Sequence, residues 1–169
     1  IAKFREKYPD VRLSLIEGAP SQIAQMVLHD HADIAVATER LAATEGLDSQ
    51  ACYEWTHQLL FPANHPLVNK SKPKISDIAE YPIITYEPAF AGRAKIDKAF
   101  IDAHMRADVV LEAVDADVIK TYVELGLGVG ILAGMALNEA ECEQKGLIKR
   151  DAGYLFGKNT TYASVKIDR

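Results

Sequence analysis

The sequence has few of the features that mark a secreted scaffold, a membrane protein or a nucleic-acid surface. It contains two cysteines, Cys52 and Cys142, in 169 residues, too few for a disulfide framework and in keeping with a reducing compartment. No apolar run approaches the ~20 residues that cross a bilayer, and no signal-peptide pattern is present, so we expect no membrane partner. The net charge of −5 argues against this segment itself holding a polyanionic backbone.

Motifs that carry catalysis or hold metals are also missing from the sequence. The five histidines are scattered without an HExxH pattern, and neither cysteine stands at a His–Cys ligand spacing. There is no GxSxG elbow and no Walker loop with its glycines and lysine. We therefore expect no catalytic residues, no metal and no cofactor.

What the sequence does contain is a globular α/β pattern. The hydrophobic fraction is 49% and the charged fraction is 25%, as in ordinary soluble domains. Helical and strand-like segments alternate, which is typical of a doubly wound sheet. The predicted strands are VRLSLIE (11–17), DIAVAT (33–38), LDSQACYEW (47–55), HQLLFPA (57–63), PIITYE (82–87), ADVVLEAV (107–114), GVGILAG (128–134), LIKRDA (147–152) and TTYASVKI (160–167).

Two α/β runs are visible, so we predict two Rossmann-like lobes with a ligand cleft between them, of the type II periplasmic-binding-protein kind. The lobes are predicted at residues 1–82 and 83–169, the second including a return strand. The chain begins with Ile1 inside a helical pattern and stops in a strand-like segment, so we expect a fragment of a longer protein.

Two strand-to-helix turns are candidates for binding a ligand, because ligands of α/β sheets lie at the carboxyl ends of the strands. In the turn from Gly18 to Gln22, the N–H groups of a helix start, the Ser21 hydroxyl and the Gln22 amide would attract an anion. Simple helix capping is the competing explanation. The second turn, Asp115–Asp117, has a good N-cap in Asp115, and capping also explains that residue.

Three further features have a structural interpretation beside a functional one. The run from Gly126 to Gly134 resembles a dinucleotide fingerprint, but it follows a helix and opens a strand, which indicates a left-handed helix end instead. Thr121 lies within a helix, where a hydroxyl usually bonds back to its own turn. Thr85 lies in a strand, where it faces either the cleft or the sheet.

The string VDADVIKTYVELGLGVGILAGMAL (114–137) resembles the effector domain of LysR-type transcriptional regulators, and its details are similar to the CysB family, the regulators of the cysteine regulon. Further matching strings span most of the chain: GAPSQIAQ (18–25), ADIAVATE (32–39), CYEW (52–55), HPL (65–67) and YPIITY followed by FAGR (81–86 and 90–93). The sibling regulators of sulfate-starvation genes are similar as well.

The resemblance implies a cytoplasmic, tetrameric activator that binds DNA through a winged helix-turn-helix domain on the N-terminal side of this segment. The family's first strand would precede Ile1, which would leave the first lobe incomplete here. The implied effector is N-acetylserine or O-acetylserine, with sulfate or thiosulfate in the same cleft. A transport-type solute-binding protein for a small anion shares the two-lobed architecture, and it would carry a signal peptide upstream.

The resemblance also implies which residues hold the effector. By the family's pattern, Ser21, Gln22 and Thr121 would line the anion pocket, and Thr85 would be a further contact at the crossover between the lobes. Ala19 stands where family members carry Ser or Thr, so one hydroxyl contact is missing. Uncharged donors of this kind suffice for a small anion, because hydrogen bonds to a charged group contribute roughly 1.5–3 kcal/mol each.

Overall fold

The computed structural model describes residues 1–90 and 92–167. Ala91, which belongs to the FAGR string, and residues 168–169 at the end of the predicted second lobe lie outside the described residues. The helices of the described chain are α1 (Ala2–Lys7), α2 (Pro20–Leu28), α3 (Glu39–Ala42), α4 (Ile75–Ile78), α5 (Arg93–Asp102), α6 (Ala116–Glu124), α7 (Glu139–Gln144) and α8 (Gly153–Phe156). Short 3-10 turns occupy Pro66–Asn69 and Gly134–Ala136.

Seven strands form a mixed sheet: β1 (Ala35–Ala37), β2 (Leu47–Pro62), β3 (Ile83–Tyr86), β4 (Val109–Ala113), β5 (Val129–Ala133), β6 (Leu147–Asp151) and β7 (Lys158–Lys166). Their order is β1-β7-β2-β5-β3-β4, and β6 also pairs with β2. β3 runs parallel to β4 and β5, whereas the pairs made by β2 and β7 are antiparallel. The α/β class predicted from the sequence is confirmed.

The strand β2 joins two halves of the molecule. Its residues 47–56 pair with β7, and its residues 57–62 pair with β5 and β6. The small half therefore contains β1, β7 and the start of β2, with α2 and α3. The large half contains the end of β2, β3 to β6, and α4 to α8.

This division differs from the predicted boundary at residue 82. The two strands predicted at 47–55 and 57–63 are one continuous strand of 16 residues, and its pairing changes partners between Thr56 and His57. Hydrophobic pattern alone does not show which neighbours a strand has. Residues 57–82 thus belong to the large half, and β7 is the return strand that carries the chain back to the small half.

The large half has three layers. On one face of its sheet, Leu60, Ile84 and Leu132 pack against residues of α6 and α7. On the other face, Leu59 and Ile83 pack against residues of α4, α5 and α8. The alternation of neighbouring residues between two cores is what a sheet buried on both faces requires. The small half has its own smaller core: Ala24, Val27, Ala35, Leu41 and Leu47.

The prediction of a strand at residues 11–17 is wrong, because the structure has no strand there. A strand needs a neighbour for its backbone hydrogen bonds, and β1 pairs only with β7 in the described part of the chain. Leu15 and Ile16 are 73% and 60% exposed. A cavity of about 430 Å³ lies between these residues and Val36 of β1.

The glycine run that begins at Gly126 has the predicted structural role. Gly126 adopts φ +79° just after α6, the left-handed helix end that glycine tolerates. A Cβ on Gly128 would lie 2.4 Å from the Pro82 carbonyl oxygen, and one on Gly130 would lie 2.8 Å from Val123. The run therefore brings β5 close to β3 and α6.

Candidate functional site

The start of α2 is held by Gln22. Ala19 occupies the N-cap position with extended backbone, and Pro20 is the first helical residue. An alanine has no side-chain acceptor, so Ala19 cannot cap the helix. Instead, the Ala19 N–H donates to Oε1 of Gln22 at 3.0 Å. This contact is the reciprocal half of a capping box, and it fixes the direction of the Gln22 side chain.

This geometry leaves hydrogen-bond donors at the surface. Because the Gln22 oxygen is used by Ala19, the two N–H groups of Gln22 Nε2 are available for another acceptor. Ser21 is exposed beside it, and no hydrogen bond among residues 1–90 and 92–167 uses its hydroxyl. The turn can therefore present an amide, a hydroxyl and the positive end of a nine-residue helix to an anion.

The start of α6 is arranged differently. The Asp115 carboxylate accepts hydrogen bonds from the N–H groups of Asp117 and Val118, at 2.8 and 3.0 Å. The N-cap predicted for Asp115 is thus confirmed, and the N–H groups at this helix start are already satisfied by the chain's own carboxylate. The exposed Thr121 hydroxyl donates to the Asp117 carbonyl oxygen at 2.8 Å, the backward bond typical of helical threonine.

Lys120 brings a positive charge next to Thr121. Its ammonium lies 2.8 Å from Asp117 and 3.3 Å from Glu141. The hydrogen bond between the two side chains lowers the pKa of Asp117 and raises the pKa of Lys120. For Lys120 this bond outweighs burial, which by itself would lower the pKa. The pair is charged throughout the physiological pH range, and the Lys120 charge is largely neutralised by its own neighbours.

Thr85 is a sheet residue in the structure. It is 0% exposed, and its hydroxyl donates to the Ile131 carbonyl oxygen on the neighbouring strand β5 at 2.8 Å. Of the two orientations that the sequence left open, the structure shows the one toward the sheet. Its hydroxyl proton is used within the large half.

The predicted site residues are distributed over both halves: Ala19, Ser21 and Gln22 in the small half, Thr85 and Thr121 in the large half. Two open surface cavities of about 470 and 430 Å³ are lined by residues within 1–36: the first by residues 1–15, the second by residues 15–18, Ile23 and Val36. Neither of these two is lined by Ser21, Thr85 or Thr121.

A polar junction that the sequence did not indicate connects the two halves. Glu39, at the start of α3, accepts hydrogen bonds from Lys95 Nζ of α5 at 3.0 Å and from the Thr160 N–H of β7 at 2.8 Å. Lys95 also donates to the Lys158 carbonyl oxygen. These residues are far apart in the chain and carry no motif, so only the fold brings them together.

The described residues also bear on metal binding and membrane spanning. Within residues 1–90 and 92–167, no group of three or more His, Cys, Asp or Glu side chains is placed to hold a metal ion. Among the helices of those residues, none combines the length and hydropathy that a membrane crossing needs.

Comparison with known proteins supplies a family. The LysR substrate binding domain matches residues 1–165. The chain is 49% identical over 166 residues to the HTH-type transcriptional regulator CysB of Burkholderia cenocepacia, covering 98% of this chain and 52% of that protein. It is 45% identical over 166 residues to the regulator SsuR of the same organism, covering 98% and 53%.

The fold has a solved counterpart. The crystal structure of the cofactor-binding domain of the Cbl transcriptional regulator superposes with a TM-score of 0.93 and 42% identity, over 99% of this chain and 73% of that one. The two-lobed, type II periplasmic-binding-protein architecture predicted from the sequence is thereby confirmed. The chain spans about half the length of the curated relatives it matches.

Proposed function

The chain belongs to the LysR substrate-binding domain family, and from that premise we propose that it senses a small anionic metabolite for a transcriptional regulator. The matched relatives include CysB and SsuR, which are transcriptional regulators and not enzymes. In the proposed protein, DNA is bound by an N-terminal domain, and a homo-oligomer in the cytoplasm is the working form. The domain described here supplies the signal.

We propose acetylserine, in its N- or O-acetyl form, and sulfate or thiosulfate as the effectors. The similarity to CysB and SsuR supports the choice of a sulfur-linked anion. The chemistry of the α2 start supports an anion more generally, because an amide, a hydroxyl and a helix end all favour a negative charge.

The observation that carries the proposal is the orientation of Gln22. Its oxygen accepts from Ala19, so the two N–H groups of its amide nitrogen are left for another acceptor, and the preceding residue, Ser21, is exposed as well. We assign the main anion contacts to Ser21 and Gln22, with the backbone of Ala19 placing them. Thr121 is proposed as the contact from the large half, its hydroxyl turning from Asp117 to the ligand. Thr85 is not included, because its buried hydroxyl bonds to Ile131.

Two lobes around a ligand also provide a means of signalling. A ligand that contacts both halves binds better when the halves are at one particular spacing, so it shifts the population toward that arrangement. The regulator would read this shift through the rest of the protein.

Isothermal titration of the intact protein with N-acetylserine, O-acetylserine, sulfate and thiosulfate tests the proposal. We expect at least one to bind, and Gln22→Ala to weaken that binding about tenfold, the loss of one charge-assisted hydrogen bond. Gln25→Ala is the matched control, since Gln25 is an exposed glutamine of the same helix. No binding by the folded wild type, or equal effects of the two variants, would refute the proposed site.

A further inference from the structure

The two halves are connected by the strands β2 and β7 and, beside them, by an ion pair between Glu39 and Lys95. α3 packs in the core of the small half through Leu41. α5 packs in the core of the large half through Ile96 and Phe100. The Glu39–Lys95 pair, at 3.0 Å, therefore runs from one half to the other.

The position of this pair is informative. Glu39 begins the helix that follows β1, and Lys95 lies in the first turn of the helix that follows β3. Both positions are at the carboxyl ends of strands, where ligands of α/β sheets bind. Lys95 also donates to Lys158, the first residue of the strand that returns to the small half. The pair thus links the two halves beside the start of β7, one of the strands that cross between them.

The surroundings keep the Glu39 carboxylate charged and in place. Burial alone would raise the pKa of Glu39, but hydrogen bonds from the N–H groups of Glu39 and Thr160 and from Lys95 together lower it. Thr160 holds Glu39 within the small half. The Glu39 carboxylate is therefore held in contact with Lys95 of the large half.

We propose that the Glu39–Lys95 ion pair is a strap that holds the two halves at the spacing at which the effector binds. The proposal rests on the proposed function for its ligand. In the proposed strapped arrangement, Ser21 and Gln22 of the small half and Thr121 of the large half are held at one fixed spacing. Without the strap, the halves sample wider spacings, and the apparent affinity falls by the fraction of molecules that are competent to bind.

The test uses three variants of the intact protein and a matched control. Glu39→Gln removes the charge but keeps an oxygen for the Thr160 N–H, and Lys95→Met removes the ammonium but keeps the apolar stem. The third variant combines both changes. Lys98→Met is the control, because the Lys98–Asp102 pair lies entirely within α5.

The first readout is the distance between the halves. Nitroxide labels at Glu45→Cys and Ile101→Cys, in a Cys52→Ser background, report one exposed position in each half. We expect pulsed dipolar spectroscopy to give a broader and longer distance distribution for Glu39→Gln and Lys95→Met than for the wild type and Lys98→Met. The double variant is expected to match Lys95→Met, because once the ammonium is gone the charge of Glu39 has no partner left to lose in the pair.

The second readout is affinity. We expect N-acetylserine or sulfate, whichever binds the wild type, to bind the strap variants about two- to fivefold more weakly, the range for a partly exposed ion pair. Unchanged distances in both single variants, or additive effects in the double variant, would overturn the strap. Altered distances with unchanged affinity would overturn its role in binding. If the wild type binds none of the anions, the proposed function fails, and the distance readout still decides whether the strap exists.

Discussion

The Ala19 N–H donates to Oε1 of Gln22 at 3.0 Å, so the first turn of α2 is closed by the side chain of its third residue. A capping box normally has a second, reciprocal bond from an N-cap hydroxyl or carboxylate. Ala19 cannot provide it, so the side-chain part of the cap comes from Gln22, beside the backbone bonds from the Gln22 and Ile23 N–H groups to the Ala19 carbonyl oxygen. The Gln22 side chain thus caps the helix and is also proposed to bind the ligand.

Ala19→Ser should restore the missing half of the capping box. The serine hydroxyl can accept from the backbone N–H of Gln22, which we expect to stabilise the protein by about 1 kcal/mol. Urea unfolding of the intact protein measures this gain. Ala19→Val is the control, since valine is a poor N-cap residue. Equal stabilities of the serine and valine variants would show that the N-cap position is satisfied in another way.

The two threonines that the sequence nominated, Thr85 and Thr121, should respond differently to the same change. Thr121→Val is expected to leave the free energy of unfolding within about 0.5 kcal/mol, as for an exposed position, and to weaken anion binding. Thr85→Val removes a buried hydrogen bond to Ile131. It should cost about 1–3 kcal/mol of stability without changing affinity. Urea unfolding and calorimetric titration of both variants check this, and the reverse pattern would exchange their roles.

Gly128→Ala should be strongly destabilising. Its Cβ would lie 2.4 Å from the Pro82 carbonyl oxygen, so β3 and β5 would have to separate. The Cβ of Gly126→Ala would have no neighbouring atom within 4 Å. This variant is expected to lose about 1 kcal/mol of stability, because only the left-handed backbone disfavours alanine there. A chevron or equilibrium urea series ranks the two. An equal cost at both positions would mean that the close approach at Gly128 is absent in solution.

The two cysteines should differ in reactivity. Cys52 is exposed and Cys142 is buried, and burial raises the pKa of the Cys142 thiol, which lowers its thiolate fraction. A maleimide or Ellman's reagent should therefore modify Cys52 rapidly and Cys142 only in denaturant. Cys52→Ser identifies the fast phase. A fast phase that persists in Cys52→Ser would place Cys142 at the surface.

The strap should depend on pH with a defined sign. The folded state lowers the pKa of Glu39. The stability that the Glu39 charge contributes is therefore complete above the unfolded pKa of about 4.3, and it is lost as the pH falls through the lower folded pKa. Wild type should thus be more stable than Glu39→Gln near pH 7, and the difference should shrink as the pH falls below the unfolded pKa. A difference independent of pH would assign the effect to packing rather than charge.

Local signals in the sequence predicted much of this molecule. The Asp115 cap, the left-handed end at Gly126 and the apolar runs of β3 and β5 each follow from a few neighbouring residues. The errors concern contacts between distant segments. Residues 11–17 alternate like a strand, but no neighbouring strand pairs with them in the described chain, and β2 changes partners without a break in its pattern.

The candidate site shows the same limit. The turn at Ser21 and Gln22 could be predicted from the strand-to-helix pattern and from the family resemblance. The orientation of Gln22 depends on whether Ala19 can cap, which the structure answers. The Glu39–Lys95 pair joins residues 56 positions apart in the chain, and no spacing rule predicts such a contact.

A crystal structure of the intact protein with N-acetylserine or sulfate bound would test the central claim most directly. We expect density for the anion within hydrogen-bond distance of Gln22 Nε2 and the Ser21 hydroxyl, with Thr121 approaching the same molecule from the large half. Density for the anion elsewhere, with Ser21 and Thr121 on separate surfaces, would contradict the proposed site.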